Sequence, residues 1–269
     1  MVVYIPTMGR TGNIRTVVPY WLEQDLQVRL VVDRYEYATY TAVKREMKWG
    51  KEVYILPTPS NGRGIGYVRN YCVKHASRTA LDAIIMADDD LRPKNGTNMY
   101  ELLEEAKKPG VLGIGATRSI HDLMSQGAVS RNHGPILCPG GWGFQVFALN
   151  ISKTLDCGNF DIRLHSLGED AELARHGIKN GIPWLVHCDV KVDPIGKRYA
   201  PGGINTRFRA PEKRTAAERE CMTIIHGMWP DYTNTPDKPL RTAWQRMLDD
   251  FIPGWQEASA IHGGSLDRL

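Results

Sequence analysis

Residues 82–91 read DAIIMADDDL. An apolar run, Ala83 to Ala87, ends abruptly in three carboxylates, Asp88, Asp89 and Asp90. Adjacent like charges repel, so the triplet requires a cation, a hydrogen-bond network or full solvation. A divalent metal with oxygen ligands would supply the cation and would also neutralise the phosphates of a nucleoside diphosphate. In an extended segment Asp88 and Asp90 share one face and Asp89 takes the other. The plain alternative is a solvated turn at a strand end or a helix cap.

The flanks decide in favour of a site. VVYIP (2–6), VRLVVD (28–33), EVYILP (52–57) and VLGIGAT (111–117) read as strands like 82–90. Helical spacing fills 13–25, 36–48, 65–77 and 97–107. Strand and helix alternate through the first 117 residues, which predicts an α/β fold with a mostly parallel sheet flanked by helices. Ligands of such sheets bind beyond the strand C-termini. Thr7, Asp33, residues 57–66 and the triplet all fall there, with Arg10 in the first loop. The second half is less regular. It offers a Gly-rich turn and strand over 136–149, a helix starting near Gly168, a strand over 183–194, a basic stretch over 196–215 and a helix near 215–228. No internal repeat is visible.

Several groups carry chemistry. In NGRGIGYVRN (61–70) the glycines allow backbone N–H groups to approach a phosphate ahead of a helix. Arg63 and Arg69 add charge, and Asn70 can hydrogen-bond a ribose or a base edge. LGEDAEL (167–173) puts Glu169 and Asp170 at a helix start, where acids also occur simply because they complement the helix dipole. The functional reading is a general base for a hydroxyl. His187 follows on the next strand as a candidate metal ligand, with Asp189 as its alternative, although a lone strand histidine is commonly structural. Gly141 and Trp142, in GGWG (140–143), could meet a sugar, or Trp142 could be a core residue.

These residues carry a resemblance. IIMADDDL resembles the D-x-D motif of GT-A glycosyltransferases, GRGIGYVRN the segment preceding it in many family 2 members, and GED their x-E-D motif. The likeness spans about residues 1–195 in matching order. It implies a GT-A catalytic domain over 1–195, with 196–269 as a basic loop and helical extension packed on it. It further implies that Asp88 and Asp90, with His187, bind Mn²⁺ or Mg²⁺ together with a nucleotide sugar such as a UDP-sugar. Thr7, Arg10, Asp33, Arg63, Arg69, Asn70, Asp88, Asp89, Gly141 and Trp142 would contact the donor. Asp170 would be the base and Glu169 would position the acceptor. The Q-x-x-R-W motif of processive synthases is missing.

A closer likeness is to the phage TET-associated glycosyltransferases, which modify hydroxymethylated pyrimidines in DNA. GKRYAPGGINTRFRAPEKR (196–214) fits such an acceptor. Lys197, Arg198, Arg207, Arg209, Lys213 and Arg214 would meet phosphates, and Tyr199 and Phe208 could stack on bases. A lid over the diphosphate or a solvated loop are the alternatives for this stretch. A nucleotidyltransferase and a glycosyltransferase acting on a saccharide or small molecule are the competing enzymes; a DNA-binding module is the non-enzyme alternative.

Bulk properties agree. The chain has 269 residues, 42% hydrophobic and 24% charged, with a net charge of +4, which alone does not argue for nucleic acid. No apolar run approaches the ~18 residues of a membrane span. The N-terminus lacks signal-peptide character, so a cytoplasmic protein, in the host if phage-encoded, is expected. Five cysteines without a C-x-x-C pair argue against a zinc knuckle, and free thiols are the simplest reading.

Overall fold

The computed structural model describes residues 1–60, 62–117, 134–137, 145–195, 211–232 and 240–253. Nine strands form one sheet among them. The strands are β1 (Val2–Pro6), β2 (Gln27–Asp33), β3 (Val53–Thr58), β4 (Ala83–Ala87), β5 (Leu91–Pro93), β6 (Gly113–Thr117), β7 (Pro135–Leu137), β8 (Val146–Asn150) and β9 (Trp184–Pro194). The helices are α1 (Thr11–Leu22), α2 (Tyr37–Glu46), α3 (Ile65–Arg78), α4 (Tyr100–Ala106), α5 (Ile151–Asp156), α6 (Glu169–Lys179), α7 (Pro211–Met228) and α8 (Leu240–Phe251).

The sheet order is β3-β2-β1-β4-β8-β6-β9-β5, with β7 also paired to β9. β1 to β4 lie parallel, as βαβ units demand. β8 is inserted antiparallel between β4 and β6, and β6 lies parallel to β9. Six strands therefore share one direction, and β5, β7 and β8 oppose their neighbours. Every residue of β4, β6 and β8 is buried, as expected of strands covered on both faces.

The core runs across the sheet. Tyr4, Trp21, Tyr40, Phe147 and Phe160 are fully buried, each contributing about 1.5–3 kcal/mol by leaving water. Met247, Leu248 and Ile252 of the C-terminal segment join the same cluster. Cys72, Cys157, Cys188 and Cys221 are buried free thiols. No described helix is long and apolar enough to cross a membrane.

One expectation about the acidic strand is corrected. β4 stops at Ala87, and the triplet forms a turn before β5. Backbone bonds suture that turn on both sides. Asp88 N–H donates to Gln145 O at 2.9 Å, beside β8, and Ile195 N–H donates to Asp90 O at 2.7 Å, beyond β9. The alternation of an extended chain therefore does not set the directions of the three carboxylates.

Gly64, which precedes α3, has φ +100°, and an added Cβ would lie 2.1 Å from His165 O. Gly64→Ala should lose about 1–3 kcal/mol in urea unfolding. Gly12, exposed in α1 with nothing near its Cβ position, is the control: Gly12→Ala should gain up to about 1 kcal/mol.

Candidate active site

The first loop is built around Asp89. Thr7 Oγ1 donates to Asp89 Oδ2 at 2.7 Å, and Arg10 Nη1 donates to Asp89 Oδ1 at 2.8 Å. The Tyr40 hydroxyl lies 3.0 Å from Thr7 Oγ1 and accepts from Arg10 N at 3.1 Å. Glu36 Oε1 accepts from Gly9 N at 2.8 Å. Asp89 is thus buried and satisfied on both oxygens. Among the described residues the Asp90 side chain has a looser contact, 3.6 Å to Arg10, and is 27% exposed.

Arg69, from α3, forms the second centre. It is buried, with its guanidinium 5.0 Å from the Phe147 ring centre. Its Nη1 donates to Glu169 Oε1 at 2.6 Å and lies 3.6 Å from Asp170 Oδ2, and its Nη2 donates to Asp88 Oδ1 at 3.2 Å. Burial alone would lower its pKa, but Glu169, Asp88 and Asp170 outweigh burial and raise it. Burial pushes the Asp88 carboxyl up to about 6; Arg69 opposes the rise and Asp90 and Asp89 add to it. Burial likewise raises Glu169, against the pull of Arg69. Asp170 is the more open of the pair, with its side chain 22% exposed against 4% for Glu169.

Both centres face one cleft of about 940 Å³ at the C-terminal edge of the parallel strands. Thr7, Arg10, Asp33, Arg69, Asp88, Asp89, Asp90, Glu169 and Asp170 all line it. Asp33 accepts from Ser60 Oγ at 2.7 Å and from Tyr35 N at 3.2 Å, holding the far wall. Arg175, from α6, also lines the cleft, and burial lowers its pKa to about 10. Among the described lining residues, six carboxylates face three arginines, an excess of three negative charges when all are ionised.

Four sequence-predicted site residues among those described, His187, Asn70, Arg63 and Lys213, do not line this cleft. His187 is buried in β9, its Nε2 3.5 Å from Glu101 Oε2 of α4, and burial lowers its pKa. β9 runs eleven residues and pairs His187 with Ala116, so the imidazole sits within the sheet rather than at the triplet. Its alternative, Asp189, accepts from Gly134 N at 2.7 Å. Asn70 donates to Phe160 O at 2.9 Å, fastening α3 to a loop instead of facing a ligand. Arg63 lies outside the cleft, 4.9 Å over the Tyr67 ring. Gly141, Trp142, Lys197, Arg198, Arg207 and Arg209, and the side chain of Arg214, lie outside the described residues; Lys213 is exposed on the first turn of α7.

Sequence reasoning missed Tyr40, Ser60 and Arg175. Tyr40 sits at an apolar position of α2, and its hydroxyl alone distinguishes it from core. Ser60 had no signal beyond its Pro-rich turn. Arg175 occupies the buried face of α6, and a charged residue among apolar helix positions was the available clue.

Residues 1–108 match the family model described as TET-Associated Glycosyltransferase. No curated protein sequence matches the chain. Among solved structures, the fold is similar to the mannosyltransferase PcManGT from Pyrobaculum calidifontis, in complex with GDP-Man and Mn²⁺. That match has a TM-score of 0.60 and 17% identity over 91% of this chain and 69% of that one. It is similar to residues 1–349 of TarS from S. aureus (TM-score 0.58, 14% identity, 97% of this chain and 74% of that one). It is also similar to GalNAc-T7 with UDP, GalNAc and Mn²⁺ (TM-score 0.57, 13% identity, 93% of this chain and 54% of that one). At these identities the likeness establishes the GT-A fold.

Asp88 gives a pH-dependent stability. Its folded pKa, about 6, stands above the ordinary 3.8, so folding is favoured while the group is protonated. That contribution is complete below pH 3.8 and is lost as pH rises through about 6. In metal-free buffer, Asp88→Asn should therefore melt somewhat higher than wild type at pH 7.5, by a gain that solvent screening reduces, because 32% of the Asp88 side chain is exposed at the cleft. The advantage should vanish at pH 3.5 in a calorimetric comparison.

Proposed function

We propose that the chain, a GT-A glycosyltransferase whose first 108 residues match the TET-associated family, moves a sugar from a nucleoside diphosphate to the hydroxymethyl group of a modified pyrimidine in DNA. The observation that carries the transfer chemistry is the opposition of two carboxylate groups across Arg69: the triplet on one side, Glu169 and Asp170 on the other.

The donor side needs a cation. An anionic diphosphate would enter a cleft with up to three excess negative charges, fewer while Asp88 or Glu169 is protonated, at a cost. Asp88 and Asp90 keep partly exposed carboxylates, hard oxygen donors of the kind Mn²⁺ and Mg²⁺ take. No group of three metal-ligating side chains occurs among the described residues. Two carboxylates suffice for an ion whose other ligands are phosphates and water. Asp88 and Asp90 would hold it, and when bound it would stabilise the charge of the leaving diphosphate. Asp89, neutralised by Arg10 and Thr7, holds the turn in place. Asp33 is suited to receive an N–H of the nucleotide base.

The acceptor side follows from exposure. Asp170 Oδ1 accepts from Ala171 N at 2.7 Å. Its Oδ2 would receive the acceptor hydroxyl proton as that oxygen attacks the sugar carbon in an inverting reaction. The bond from the sugar carbon to the diphosphate then breaks, with its electron pair on the leaving oxygen. Glu169, closed on Arg69, is a positioning residue.

The DNA acceptor draws on the family match and on the basic stretch from Lys197 to Arg214. A target base would have to leave its stack to reach Asp170.

The test is a donor panel with Mn²⁺ and either unmodified or hydroxymethylated DNA, read as nucleoside diphosphate release. Release should require hydroxymethylated DNA and stop with chelator. Release of pyrophosphate would instead indicate a nucleotidyltransferase, and turnover only with saccharides would remove DNA as the acceptor. Asp170→Asn should lower kcat by about 10²–10⁴-fold with little change in donor KM. Asp90→Asn should raise the Mn²⁺ concentration needed for half-maximal rate.

A further inference from the structure

A second hollow, of about 460 Å³, adjoins the cleft. His165 lines both, so it is the wall they share. Arg63 and Tyr67 of α3 form one side, Ile162 and Arg163 another, and Glu220 with Ile224 of α7 the third.

Its chemistry differs from that of the cleft. The cleft is acidic, whereas this hollow presents two arginines. Arg163 is held by Asp161 and is 59% exposed. Arg63 has no ion pair among the described residues and is braced over the Tyr67 ring at 4.9 Å. Ile162 is 53% exposed, an apolar side chain only half covered by the described residues. Glu220 is the acid of the far wall, and it faces His165 at 3.2 Å. On α7, Lys213 stands seven residues before Glu220 and eleven before Ile224, so all three share a helix face. An exposed lysine thus continues the hollow toward the start of α7.

We infer that this hollow seats the nucleic-acid strand flanking the acceptor base. Arg63 and Arg163 take backbone phosphates, and Tyr67 with Ile162 borders a neighbouring base or sugar. The target base passes His165 into the cleft, toward Asp170. The inference rests on the DNA acceptor proposed above and adds where that acceptor lies. The charge balance of the adjoining hollows supports it: this one has two arginines, one of them tied to Asp161, against one glutamate, and the cleft has six carboxylates against three arginines, so phosphates of the strand favour the Arg63 side.

The test uses the full chain and a labelled single strand carrying one 5-hydroxymethylcytosine, with binding read by fluorescence anisotropy across salt concentrations. UDP and GDP binding with Mn²⁺ is read separately by calorimetry. Arg63→Glu should weaken strand binding about 10-fold. It should also reduce the slope of log affinity against log salt by about 0.7 for each phosphate no longer neutralised. Tyr67→Ala should weaken binding by about 5- to 100-fold. Nucleotide affinity should stay at the wild-type value for both variants, which also shows that they fold. If wild type binds and glycosylates DNA but both variants bind it equally well, the hollow is not the strand site and the acceptor assignment stands. If wild type neither binds nor modifies any strand, the acceptor assignment falls and this inference with it.

Discussion

A single buried guanidinium holds the candidate site together. Arg69 bonds Glu169 at 2.6 Å and Asp88 at 3.2 Å, with Asp170 at 3.6 Å. Taking a cation out of water is expensive, and only close, well-oriented carboxylates repay it. The surrounding structure is arranged to keep that geometry. Gly64 and Gly66 allow α3 to press against the backbone of residues 161–165, where a Cβ would collide with carbonyl oxygens. Asn70 fastens the same helix to Phe160. Phe147 lies under the guanidinium and closes it from below.

The three consecutive aspartates are not equivalent, and the difference is electrostatic. Asp89 is fully paired with Thr7 and Arg10. Asp88 shares one arginine with two other acids and is pushed toward its protonated form by burial. Asp90 retains the most freedom, since Arg10 is engaged mainly by Asp89. A cleft lined by more carboxylates than arginines carries mutual repulsion whenever all of them are ionised. Burial of Asp88 and Glu169 adds to that cost, and both carboxyls are raised above their ordinary values.

Much of this is legible in the sequence, for a specific reason. Strand C-termini of βαβ units converge, so Thr7, Asp33 and the triplet can be placed on one edge without coordinates. What fails are inferences requiring the direction of one side chain. Period-two alternation assigns Asp89 to the opposite side from its neighbours, but the chain turns at Ala87 and all three line the cleft. His187 owes its expected place to its order after the GED helix. Order does not reveal how far an eleven-residue strand overruns the sheet, and His187 sits too early in it. Asn70 and Arg63 belong to the right segment but turn away from the cleft. The reversed strand β8 is also hidden, because no local pattern encodes insertion between β4 and β6.

That reversal brings the second half of the chain to the triplet. Thr7, Arg10, Asp33, Arg69 and the triplet lie within residues 1–108, the part that matches the family model. Glu169 and Asp170 come from beyond it. β8 brings Gln145 O to Asp88 N, and the run past β9 brings Ile195 N to Asp90 O. The triplet is therefore clamped by the second half of the chain while projecting from the first. Arg69 completes the join by reaching across to α6. Shifting α6 would release Arg69 from Glu169, leave it on Asp88, and so alter the triplet from the opposite wall of the cleft. The two halves of the cleft are coupled through one side chain, so the placement of Asp170 and that of the triplet depend on the same ion-pair geometry.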